Sequence, residues 1–207
     1  MFSRKRQRAA RLVRVNLENP ASRDAQFCIG EYFAELDQRF DTGFDPATSI
    51  SADVGELIEP AGLLLVARRE GRPIGCGALK FHAGQPVEIK RMWVSKEARG
   101  LGLGRRLLHE LEAEASRRGA TIVRLETNRS LAEAISLYRS AGYDEVPAFN
   151  AEPFAHHWFQ KYLDRIAISR SDPAPMTVGR CQPSTTKNSG TSRIAALSRS
   201  APGQSTS

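Results

Sequence analysis

Residues 99–106 read Arg99-Gly100-Leu101-Gly102-Leu103-Gly104-Arg105-Arg106. A mostly apolar run, 87–95 (VEIKRMWVS), enters this stretch, and a four-residue repeat leaves it: Leu103, Leu107, Leu111 and Ala115. The pattern predicts strand, tight turn and helix, the helix spanning about 103–118 with Gly119 as its left-handed cap. The glycines let backbone amides approach a ligand closely, and a helix start offers N–H groups that attract phosphate. Arg105 and Arg106 fall in the first helical turn, where a cation is disfavoured by about 0.3–1 kcal/mol. They make better sense with a polyanion in front of the helix, so an anion-binding turn is expected.

Two familiar anion motifs do not fit. A P-loop needs Lys-Ser or Lys-Thr after its glycines, and none follows here. A dinucleotide fingerprint would need glycine in place of Arg105 or Leu107. Glu126 stands at nearly the spacing of a ribose ligand, but without the third glycine that motif's close helix–strand packing is lost.

Outward from the turn, helices and strands alternate. Residues 11–17 read as a strand, and 22–39 as a helix with Phe27, Cys28, Phe33, Leu36 and Phe40 along an apolar stripe. A loop broken by Gly43, Pro46, Gly55 and Pro60 follows, with a short helix near 51–58. Apolar runs on either side of Glu70-Gly71-Arg72-Pro73 predict a hairpin, and 87–95 adds a third strand. Past the helix come a strand at 121–126 and a second helix, opened by a capping box at Ser130-Leu131-Ala132-Glu133 and closed by Gly142. Strands at 143–146 and 157–163 complete an α/β order with a mixed sheet, hairpins first and helix crossovers after.

Composition sets bounds on function. The 207 residues are 41% apolar and 26% charged, as in ordinary globular proteins. No run of about 18 apolar residues occurs, so no membrane helix is expected. Cys28, Cys76 and Cys181, without any C-x-x-C, argue against a disulfide framework or cysteine zinc site and for a reducing, cytoplasmic setting. The net charge of +7 sits at the ends: residues 1–14 carry +6 and 169–207 carry +4, leaving 15–168 at −3. A mildly acidic core lacks the basic face of a specific nucleic-acid binder. Residues 1–10 read as a basic arm without the apolar stretch of a secretory signal. The last 39 residues hold nine Ser and five Thr and no aromatic residue, too little apolar surface to offset ordering. Residues 167–207 are therefore expected to be a disordered tail on a domain at 11–166.

Two segments resemble one family. Arg99-x-x-Gly102-x-Gly104, after a strand ending Trp93-Val94-Ser95, resembles the acyl-CoA signature of the GNAT superfamily of N-acetyltransferases. Leu137-Tyr138-Arg139-Ser140-Ala141-Gly142-Tyr143 is similar to that superfamily's second signature, a helical tyrosine just before a glycine and an aromatic-led strand. The resemblance covers about residues 11–164. It implies a mixed, mostly antiparallel central sheet with splayed strands, flanked by helices. It also implies direct acetyl transfer from acetyl-CoA to a primary amine of a small molecule or peptide, with no metal called for. A homodimer is compatible with it. The rival reading is a non-catalytic CoA-binding sensor or interaction module on the same fold.

By the resemblance, the strands at 87–95 and 121–126 splay, and pantetheine pairs with the backbone of Met92 and Val94, beside Trp93. The turn Arg99, Gly100, Leu101, Gly102, Leu103, Gly104 and Arg105 cradles the diphosphate. Asn128 matches a cofactor-contacting position, although turn chemistry accounts for it equally. Tyr138 matches the tyrosine that protonates the leaving thiolate; its helical stripe with Leu131, Ala134 and Ile135 also fits simple burial. Glu88 matches a glutamate that deprotonates the amine in some members, and a carboxylate desolvated in a cleft has its pKa raised. The alternative for Glu88 is a surface carboxylate opposite Lys90 or Arg91. The amide of Val94 is the expected oxyanion donor. His156 and His157 point to opposite faces of a strand and make no metal pair. Trp158, Phe159 and Tyr162 are expected in the core or cleft wall. Glu35, Asp37, Asp41 and Asp45 lie where such enzymes hold acceptors, and acidic charge there attracts a cationic amine.

Overall fold

The structure is a computed structural model that describes residues 12–50 and 53–163. The expected basic arm and Ser/Thr-rich tail lie outside the described residues. Strands β1 (Val13–Glu18), β2 (Gly62–Arg69), β3 (Arg72–Lys80) and β4 (Val87–Val94) pair antiparallel in sequence order, with helix α1 (Arg23–Arg39) between the first two. Then follow α2 (Leu103–Arg117), β5 (Ile122–Thr127), α3 (Ala132–Ser140), β6 (Asp144–Val146) and β7 (His157–Tyr162). The sheet order is β1-β2-β3-β4-β5-β7-β6, and among the described residues only β4 and β5 run parallel. This is the expected mixed, mostly antiparallel sheet.

Both faces of the sheet are covered. Leu63 and Leu65 of β2 join the core under α2 and α3, whereas Leu64 and Val66 join the core under α1. Double burial explains why GLLLVA is an unbroken apolar run instead of an alternating one. Leu107 and Leu111 of α2 are fully buried, each contributing roughly 1.5–3 kcal/mol by leaving water. Gly77 makes this packing possible: a Cβ there would stand 2.7 Å from Leu111 Cδ1 and 2.9 Å from Met92 Sδ.

Local signals hold at most helix ends. Ser22 Oγ accepts from the Ala25 amide at 3.2 Å and starts α1. Phe27, expected on the buried stripe, is instead 48% exposed, edge-on to Trp93. The capping box at 130–133 does not form. Glu133 is drawn to Arg39 Nη2 (2.8 Å), Asn128 Oδ1 takes the Ser130 amide, and α3 starts at Ala132 without a side-chain cap. The short helix near 51–58 is a 3-10 turn at Val54–Leu57.

One feature of the sheet builds the site. β4 and β5 pair only at Val87↔Val123 and Glu88↔Arg124. Beyond that rung β5 pairs with β7 from Ile122 to Thr127, while β4 stays with β3. The β3–β4 ladder shifts register opposite Gly77, with Arg91 at φ +57. The strands therefore diverge toward the glycine turn.

Candidate active site

A groove of about 440 Å³ opens at the splayed end. Its walls are the β4 edge (Met92, Trp93, Val94), the turn (Arg99, Gly100, Gly102), the start of α2 (Leu103, Gly104, Arg105), α1 (Tyr32, Glu35) and α3 (Leu137, Tyr138). Every residue predicted for the cofactor except Leu101 and Asn128 meets here, together with Tyr138. Leu101 belongs to the turn but does not line the groove.

The turn is a cradle built from glycine. Gly100 and Gly102 lie at φ +72 and +79, and a Cβ on either would meet only open space. Gly102 is the N-cap of α2, which has no side-chain cap and no acid in its first turn. The first amides of such a helix have no intrahelical acceptor and favour an anion in front of them. These features fit the diphosphate of a CoA ester. Arg105 lines the groove and rests on Ser140 Oγ (2.8 Å), whereas Arg106 turns away to the Val13 carbonyl (2.8 Å). Of the two arginines expected beside the anion, only Arg105 lines the groove.

Arg99 is held from two sides. Its Nε donates to the Val94 carbonyl (3.1 Å) and its Nη2 to Glu35. Glu35 also accepts from Trp93 Nε1 (3.1 Å) and Arg39 Nη1 (3.2 Å), which ties α1 to the turn and the β4 edge.

Tyr138 stands at a junction. It lines both the groove and a second, narrow cavity of about 80 Å³, which shares Met92 with the groove. Its ring rests against Tyr143 and Phe159, both at 5.9 Å, and it is 5% exposed. Burial raises its pKa, so the phenol stays protonated. The second cavity carries Tyr32, Phe40, Phe44 and Phe154 beside Lys90, Arg91, Glu126 and Glu152.

Glu88 is not where a base was expected. It lies on the last paired rung of β4 and β5, and it lines neither the groove nor the second cavity. Its carboxylate is bound by Lys90 Nζ (3.0 Å) and Arg124 Nη2 (2.8 Å). Burial alone would raise its pKa, but Lys90 and Arg124 outweigh burial and the net shift is downward. The carboxylates facing the second cavity are Glu126 and Glu152. The sequence reading weighed Glu126 only as a ribose ligand and missed Glu152.

Other candidates find structural work. Asn128 is buried in a turn, accepting from the Ser130 amide (2.9 Å) and donating to the Phe154 carbonyl (2.7 Å); it lines the second cavity. His157 Nδ1 bonds Glu145 (2.6 Å). Phe159 is core, Trp158 Nε1 donates to Asn150, and Tyr162 is 70% exposed, against expectation. Asp37 accepts the Phe44 amide, Asp45 the Ala47 amide, and Asp41 pairs with Arg129, so these acids serve turns and ion pairs.

A splayed mixed sheet with a glycine turn at its mouth defines an acyltransferase built around a CoA thioester. The acetyltransferase (GNAT) family model matches residues 29–143, and this chain belongs to that family. It is similar to an IAA acetyltransferase of Azospirillum brasilense, 37% identical over 125 residues, covering 60% of this chain and 82% of the relative. The N-alpha-acetyltransferase RimI of Mycobacterium tuberculosis is 32% identical over 126 residues, 59% of this chain and 74% of that one. A GNAT-family acetyltransferase structure from Staphylococcus aureus Mu50 superposes with a TM-score of 0.62 at 15% identity, over 73% of this chain and 99% of its own, a likeness of fold. Among the described residues no helix is long and apolar enough to cross a membrane.

Proposed function

We propose that this acyltransferase moves acetyl from acetyl-CoA directly to a primary amine. The observation that carries the reading is the meeting of the glycine turn, the β4 edge and Tyr138 in one groove. Acetyl-CoA supplies the activated acetyl group. The amides of Gly100, Gly102, Gly104 and Arg105 would hold its diphosphate, and the backbone of Met92 and Val94 would pair with its pantetheine arm. The Val94 amide polarises the acyl oxygen. The Tyr138 hydroxyl, kept protonated by burial, donates its proton to the departing sulfur. The amine loses its proton on the side of the second cavity, where Glu126 and Glu152 lie.

Cys76 takes no part as a nucleophile. It is a free thiol, fully buried, donates to the Arg91 carbonyl (3.2 Å), and a hydrogen bond with the Cys28 thiol together with burial pushes its pKa up. A thiol held protonated does not attack a thioester, which supports direct transfer by proximity. Thiol release from acetyl-CoA against a panel of primary amines tests the proposal. Release that depends on an amine is expected. Binding of acetyl-CoA with no release for any amine would favour the sensor reading.

A further inference from the structure

We infer that Tyr32 is a second catalytic phenol: its hydroxyl, with the Val94 amide, binds the acyl oxygen as that oxygen takes up negative charge. The inference rests on the acetyl-transfer reading and adds a residue to it.

Transfer needs the acyl group where the groove meets the second cavity. Among the described residues Tyr32, Leu36, Met92, Leu131, Ala134 and Tyr138 line both spaces. Only the two tyrosines of that set carry a polar side chain. They reach the junction from opposite faces of the sheet. Tyr138 belongs to the core under α2 and α3, whereas Tyr32 packs against the core under α1.

Helix α1 holds Tyr32 in place. Tyr32, Glu35, Leu36 and Arg39 all line the groove, a stripe at i, i+3, i+4 and i+7. One turn beyond Tyr32, Glu35 is tied to Trp93 Nε1 and to Arg99, and Arg39 Nη2 donates to the Ser130 carbonyl (2.6 Å) just before α3. These bonds fix the helix to the β4 edge, the glycine turn and the approach to α3. A donor carried on so fixed an element needs no reorganisation when charge develops in front of it.

The chemistry of the hydroxyl narrows its task. Among the described residues neither it nor that of Tyr138 has a hydrogen-bond partner, whereas a buried phenol usually finds one. Burial pushes the Tyr32 pKa up, and Arg91 offsets only part of that shift, so the hydroxyl keeps its proton. Three polar events accompany transfer: the amine loses a proton, the sulfur gains one, and the acyl oxygen takes up charge. A phenol that is hard to ionise is no base for the amine, and Tyr138 serves the sulfur. A neutral donor at the junction acts on the oxygen, and no proton leaves Tyr32.

Isotope-edited infrared difference spectroscopy tests this, using acetyl-CoA labelled at its carbonyl carbon and no amine. The thioester C=O band should lie higher in Tyr32→Phe than in the wild type, because a lost hydrogen bond leaves the carbonyl less polarised. Transfer by the variant should slow by about 10²-fold in single turnover, by the same factor for every amine, with acetyl-CoA affinity unchanged. The ring contact with Phe33 (5.7 Å) survives the substitution, and circular dichroism should show the fold retained. A band unmoved by Tyr32→Phe overturns the assignment even where transfer slows, since the hydroxyl then acts on another atom. A loss that varies from amine to amine, or is confined to the amine KM, overturns it as well and makes Tyr32 an acceptor contact. A wild type that binds no acetyl-CoA, by contrast, overturns the acetyl-transfer reading.

Discussion

Glu88 and Arg124 face each other on the last paired rung of β4 and β5, with Glu88 Oε1 and Arg124 Nη2 2.8 Å apart. Just beyond them the two strands part. A buried ion pair, joined by Lys90, lies at that apex.

Glu88→Gln should therefore behave as a structural variant. Removing one partner from a buried ion network costs about 3–5 kcal/mol, measurable by chemical denaturation. Because the folded pKa of Glu88 lies below its ordinary 4.5, its contribution is present above about pH 4.5 and is lost as the pH falls through the lowered folded value. The variant should thus lose most of its deficit relative to wild type under strongly acid conditions. Its chemical step per folded molecule should keep the wild-type pH profile, and a profile that lost its acidic limb would return Glu88 to the mechanism.

Gly102→Glu should prevent acetyl-CoA binding. The position is left-handed, with open space where a side chain would project, and a carboxylate there would face the diphosphate at the start of α2. Calorimetry should show affinity at least 10²-fold weaker, with the circular dichroism of the fold retained. Wild-type affinity would remove the turn from the cofactor site.

Tyr138→Phe separates chemistry from packing. The ring contacts with Tyr143 and Phe159 survive the change, so stability should fall by only about 0.5–1.5 kcal/mol. Single-turnover transfer should slow by about 10²-fold or more with acetyl-CoA affinity nearly intact. An unchanged chemical step would make Tyr138 a core residue only.

The alternating order of strands and helices, the glycine turn and the burial of Tyr138 are legible in the sequence through local rules of period, glycine placement and helix stripe. The splaying of the sheet and the expected role of Tyr138 rest instead on the family resemblance. What was not legible depended on partners far along the chain. Glu133 looked like half of a capping box until Arg39, 94 residues away, took its carboxylate. Glu35 looked like an acidic lure for an amine, yet it clamps Arg99 across 64 residues. Glu88 was misplaced because the rung at which two parallel strands part is a tertiary fact, invisible to spacing along one strand. Asn128 was the reverse case, since its turn chemistry was readable and is what forms.

Rapid-quench mass spectrometry with acetyl-labelled acetyl-CoA follows the acetyl group itself. Direct transfer predicts that one labelled N-acetyl amine appears per CoA released, only when an amine is present, and that the protein never carries the label. Labelled protein, or CoA release at the same rate without any amine, would contradict direct transfer through the groove between β4 and β5.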